Sequence, residues 1–205
     1  GGHTAMVPAA FLAGKDLVRE CMEDGVIHRF LTETEEEEIV PYVPLPHADA
    51  RSFAREVEQR FENPFLDHRL LDICVNSFAK WKERVMPSVL DACAAGKLPR
   101  RLIFSFAALL AFYTKAEEKD GELFGSRGEQ LYPLRESGQM LDLVKRYSGC
   151  SPEQYVEGIL RESGMFGELE TLPAFVRLAA ADLHAIREKG AAAALNDMMK
   201  GGKPQ

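Results

Sequence analysis

The chain has 205 residues, 46% of them hydrophobic and 28% charged, which suffices for one full globular core. Its 32 acidic residues against 25 Lys and Arg leave a net charge of -7. That balance argues against a non-specific grip on nucleic acid or on an anionic membrane surface, since either needs a basic face. The longest apolar run, Leu102 to Tyr113 broken only by Ser105, falls well short of the ~20 residues that cross a bilayer. Cys21, Cys74, Cys93 and Cys150 are widely spaced with no Cys-x-x-Cys pair, so free thiols in a reducing cytoplasm are expected rather than a zinc knuckle or a redox site. The opening GGHTAMVPAAFLAG lacks the basic start of a secretory signal.

In chain order, apolar residues recur at helical spacing from the first segment on, and no stretch alternates as a half-buried strand would. An all-α domain is expected. Ala5 to Leu12 forms the first helical stretch, with His3 near its start. Thr34 and Glu37 have the spacing of a capping box, placing the acidic run Glu35 to Glu38 at a solvated helix start. Pro41, Pro44 and Pro46 then interrupt the chain before a second helical block from Ala48 to Phe61, which ends at Asn63-Pro64.

The clearest amphipathic signal covers His68 to Met86, read as a helix from Arg69. Taken as one helix, it gathers Leu70, Cys74, Phe78, Trp81 and Val85 on one face, with Asn76, Lys80 and Arg84 along a ridge on the other. Pro87 closes it. The apolar helix of Leu102 to Tyr113 follows, then a glycine- and charge-rich segment, Glu117 to Gly128, read as an exposed loop. Ser151-Pro152 opens a helix through Leu160, Leu172 to Lys189 forms another, and the last residues from Lys200 are expected to fray.

Two features bear on chemistry. One amide and two cations four residues apart can grip the carboxylate and hydroxyls of a small anion, although a mixed polar stripe is also what any solvated helix face carries. His3 near a helix start is biased toward the neutral imidazole, able to donate to or accept from a hydroxyl or carbonyl. Gly1-Gly2-His3 could also wrap a square-planar copper ion; we read that as an accident of sequence. No other histidine pattern suggests a metal, no nucleophile elbow is present, and no Gly-x-Gly-x-x-Gly or Gly-x-x-x-x-Gly-Lys-Ser/Thr would cradle a pyrophosphate.

The segments GGHTAMVPAAFLAG and RFENPFLDHRLLDICVNSFAKWKERVMPSVL, with the helical reading between and after them, resemble the C-terminal domain of the mannitol dehydrogenase family. The resemblance implies a multi-helix fold of the 6-phosphogluconate-dehydrogenase C-terminal type over residues 1–205. It also implies an NAD-binding Rossmann domain as partner, lying outside this chain. The family signature Lys-x-x-x-x-Asn-x-x-His is represented only by its end, so the resemblance implies His3 as its histidine, with the asparagine just before Gly1 and the lysine five residues further upstream. It likewise implies Lys80 as a substrate-binding cation. Asn76 and Arg84 rest on the ridge alone. Where mannitol- and fructuronate-specific relatives carry Asp-Gly-Ser-x-Lys, this chain has Asn76-Ser77-Phe78-Ala79-Lys80, which favours the branch that reduces tagaturonate to altronate. A helical binding module without catalysis is the alternative from a different class.

Overall fold

Every residue from Leu102 to Leu110 is fully buried, a pattern a helix shows only when neighbours surround it. That helix organises the domain. In a computed structural model the described residues are 1–43, 52 and 68–201. The expected helix Ala48 to Phe61, its Asn63-Pro64 end and residues 202–205 lie outside them.

Twelve α-helices are described: α1 Gly2–Leu12, α2 Val18–Glu23, α3 Gly25–Glu33, α4 Leu70–Ile73, α5 Ser77–Arg84, α6 Met86–Ala94, α7 Arg100–Phe112, α8 Gly138–Tyr147, α9 Pro152–Glu162, α10 Gly167–Glu170, α11 Pro173–Lys189 and α12 Ala191–Gly201. α7 packs most extensively on α11 and α1, and α9, α12 and α5 also reach it. Around it an aromatic cluster closes the core: Trp81 lies 4.9 Å from Phe106, and Phe166 touches Phe78, Trp81 and Phe106. The Ser105 that interrupts the apolar run has a buried task. Its hydroxyl accepts the Trp81 indole N–H at 2.9 Å and donates to the Leu102 carbonyl at 2.7 Å, so neither polar group is stranded.

The helical class holds, with three local corrections. The expected loop Glu117 to Gly128 is instead part of an antiparallel sheet of β1 Glu117–Lys119, β2 Glu122–Arg127 and β3 Gln130–Pro133, in the order β1-β2-β3. Asp120-Gly121, both at positive φ, is the two-residue hairpin turn that joins β1 to β2. The charged, short strands concealed it, because only Leu123, Gly125 and Tyr132 face inward. Arg127 leaves this sheet to donate to the Phe11 and Lys15 carbonyls, both at 3.1 Å, and stacks on the Phe11 ring. The sheet thereby clamps the far end of α1.

The second correction concerns residues 34–39. Thr34 starts no helix: the chain runs on from α3 into a π-helical turn, Thr34–Ile39, and the Thr34 hydroxyl donates back to the Phe30 carbonyl. The cap in this region is Asp24, whose carboxylate accepts from Val26 and Ile27 at the start of α3. Nor is the acidic run solvated throughout, because Glu35 and Glu38 are buried while Glu36 and Glu37 face water. Thirdly, Arg69 to Met86 is not one helix. Asn76 adopts φ 53°, ψ 43°, a left-handed conformation that Asn tolerates better than most residues, and it separates α4 from α5.

Candidate active site

The first turn of α1 is built on close approach. A Cβ at Gly1 would lie 2.9 Å from the Arg84 carbonyl oxygen, and one at Gly2 would lie 2.1 Å from a Glu35 carboxylate oxygen. Both positions are therefore filled by neighbours, and glycine is needed at each. The π-helical turn places the buried Glu35 carboxylate there, at the positive end of the α1 dipole. Its neighbour Glu38 serves α7 in the same way, accepting from the N–H groups of Arg101 at 3.1 Å and Leu102 at 2.9 Å and from the Arg101 guanidinium at 3.0 Å.

His3 follows in this turn, partly buried. Burial lowers its pKa to about 4. The imidazole is thus neutral at physiological pH, as the helix-start position suggested, but desolvation rather than the helix dipole is the main cause. Among the described residues no cluster of His, Cys, Asp and Glu could hold a metal, and no helix is long and apolar enough to cross a membrane.

The start of α1 meets the end of α5. Arg84 closes α5, its side chain exposed and its carbonyl against Gly1. Lys80 stands one turn earlier, roughly 6 Å back along the axis. It is half-buried, with Nζ donating to the Ile73 carbonyl at 3.0 Å. That bond anchors the ammonium over the α4–α5 turn and uses one of its three donors. Asn76 is exposed at the opposite end of α5, about 12 Å from Arg84 by helical rise. Its N–H donates to the Arg135 carbonyl at 3.0 Å. The left-handed residue breaks the expected ridge: Lys80 and Arg84 remain aligned, while Asn76 belongs to the turn that docks the segment after β3.

Beside that turn lies a pocket of 210 Å³ lined by Arg69, Leu71, Asp72, Pro133 and Arg135. Periodicity did not single these residues out, because they come from two segments that meet only in the fold. A larger pocket of 490 Å³ at the far end of α1 is less suited to a ligand. Its Arg127 and Arg187 guanidinium groups are already engaged on backbone carbonyls.

The chain is thus a helical domain whose glycine-bound helix start carries a neutral histidine beside a cationic helix. The chain belongs to the mannitol dehydrogenase family: residues 1–187 match the model of the mannitol dehydrogenase C-terminal domain. Among its relatives, the altronate oxidoreductase of Pectobacterium carotovorum is 38% identical over 95% of this chain and 41% of that protein. An altronate oxidoreductase of Escherichia coli is 37% identical over 93% of this chain and 39% of its own length. The fold is shared with Pseudomonas fluorescens mannitol 2-dehydrogenase, solved as a ternary complex with NAD and D-mannitol, at TM-score 0.82 and 19% identity over 100% of this chain and 39% of that one. A substrate-free D-sorbitol dehydrogenase matches at TM-score 0.75 and 20% identity, over 95% of this chain and 38% of that one. The chain spans about two fifths of the length of the relatives it matches.

Proposed function

We propose that this domain holds the substrate of an NAD-dependent sugar-acid oxidoreductase that reduces D-tagaturonate to D-altronate. The observation that carries the proposal is the meeting of the α1 start, where His3 is kept neutral, with the cationic end of α5. The names of the 34–38% identical relatives favour this substrate over mannitol or fructuronate. They also favour an enzyme over a non-catalytic helical module.

In this reading Lys80 meets the anionic or hydroxyl-bearing end of the substrate with the two donors it keeps, and Arg84 adds positive charge along the same line. His3 exchanges a hydrogen bond with the reacting carbonyl or a neighbouring hydroxyl, a task for which an uncharged imidazole is suited because it both donates and accepts. The residues present do not fit the dinucleotide. The one glycine-paired helix start in the described structure already holds the Glu35 carboxylate, which repels a pyrophosphate. In this reading NAD is held by a Rossmann domain outside this chain.

The test uses the full-length protein that carries this domain. Lys80→Ala should raise KM for tagaturonate about tenfold or more with NADH binding unchanged, as expected for a charge-assisted contact. His3→Ala should lower kcat/KM by roughly a hundredfold. An unaltered KM returns Lys80 to a purely structural anchor on Ile73, and a near-wild-type kcat/KM removes His3 from the site.

A further inference from the structure

The geometry points to the pocket of Arg69, Asp72 and Arg135 as the subsite that receives the carboxylate end of a sugar acid. Three observations lead there. First, the lining residues include two arginines and one aspartate, yet among the described residues no ion pair joins Asp72 to either arginine, and neither arginine has an ion pair elsewhere. Facing charges are usually paired off within a protein. Here they line a cavity instead.

Secondly, the backbone under each arginine is fixed. Arg69 pairs with Leu17 in an isolated antiparallel bridge, flanked by Val18 N–H to His68 O at 3.0 Å and Leu70 N–H to Asp16 O at 2.9 Å. The Arg135 carbonyl accepts both the Asn76 N–H at 3.0 Å and the Tyr113 hydroxyl at 3.1 Å. Two planar donor forks on pinned supports suit a carboxylate, which such forks bind in a bidentate manner.

Thirdly, the pocket adjoins the candidate site. Asp72 precedes Ile73, whose carbonyl holds the Lys80 ammonium, and Arg135 holds Asn76. At 210 Å³ the cavity is smaller than the ~300–1,000 Å³ of sites for drug-sized ligands, so it suits one end of a six-carbon acid. Leu71 and Pro133 offer apolar contact to the C–H face of the carbon chain, while Asp72 accepts from hydroxyls. An acid that also bears hydroxyls matches all three charges; a phosphate dianion matches the arginines but is repelled by Asp72.

The inference rests on the sugar-acid reading above. It is tested in the full-length protein with Arg69→Gln, Arg135→Gln and the double variant, first on tagaturonate and on the ketohexose bearing a hydroxymethyl group in place of the carboxylate. The double variant should raise KM for the acid at least about tenfold and leave KM for the neutral sugar within about twofold. Equal KM values for the acid in wild type and double variant would overturn the subsite. Both side chains are exposed, so folding should survive, and an unchanged melting temperature checks this. If the wild type does not turn over tagaturonate, the proposed reaction fails by itself. The subsite is then read by titration calorimetry with altronate. Binding that is lost in the double variant supports it. No binding by the wild type, binding unchanged in the variant, or displacement by equimolar inorganic phosphate overturns it.

Discussion

At position 3, the surroundings decide the chemistry more than the residue type does. An imidazole in water has a pKa near 6.5, whereas burial lowers that of His3 to about 4. Between these values the unfolded chain binds a proton that the folded chain refuses, so stability rises with pH across that window. The contribution of His3 is fully present above pH 6.5 and is lost as pH falls toward 4, amounting to roughly 3 kcal/mol at most. We expect the His3 ring signals in an NMR titration to stay in their neutral form from pH 8 down to about 5, with denaturant stability declining below pH 6.5. A midpoint near 6.5 would show a solvated ring and remove the argument for an uncharged hydrogen-bonding partner. The sequence placed His3 at a helix start, but the cause of its neutrality was hidden. The neighbours of this turn, the segment at 34–39 and the end of α5, are not adjacent to it in the chain.

At the scale of elements, the run Glu35 to Glu38 is the clearest case of a local signal with a tertiary outcome. Capping-box spacing and charge density both suggested a solvated start, yet the turn is π-helical and directs two of the four carboxylates inward. Glu38 takes the place of a capping side chain that α7 lacks, since Pro99 precedes it. Burial pushes the Glu38 carboxyl up, against the pull of the two N–H groups and Arg101. Removing the carboxylate with Glu38→Ala leaves those donors unmatched and should cost about 2–4 kcal/mol in urea unfolding. A loss under about 1 kcal/mol would mean that water replaces the cap without penalty. Other elements were legible for physical reasons. Ser151-Pro152 opens α9 as expected, with Gln154 completing a capping box, and the long apolar run broken only by Ser105 forms most of α7. The break at Asn76 was not legible, because apolar spacing continues across it. Nor was the hairpin, although Asp120-Gly121 carries the signal of a tight turn and could have disclosed it.

For the whole molecule, the helical class agrees with what periodicity suggested and the family match with the resemblance of the two motif segments, and charged residues from distant segments meet at the candidate site. Two fifths of a longer relative's length supplies one wall of a cleft in this reading. The 205-residue chain alone should therefore neither bind NADH measurably at micromolar protein in fluorescence titration nor oxidise it when tagaturonate is added. Saturable binding would place a nucleotide site within this domain and overturn the division of labour. The left-handed residue between α4 and α5 also restricts how this region can diverge. Handedness at position 76 confines the permissible alphabet to glycine, asparagine and aspartate. Drift there can add or delete a single negative charge beside the proposed carboxylate subsite while leaving the main chain where it is, which would make that one corner a place to retune selectivity without refolding.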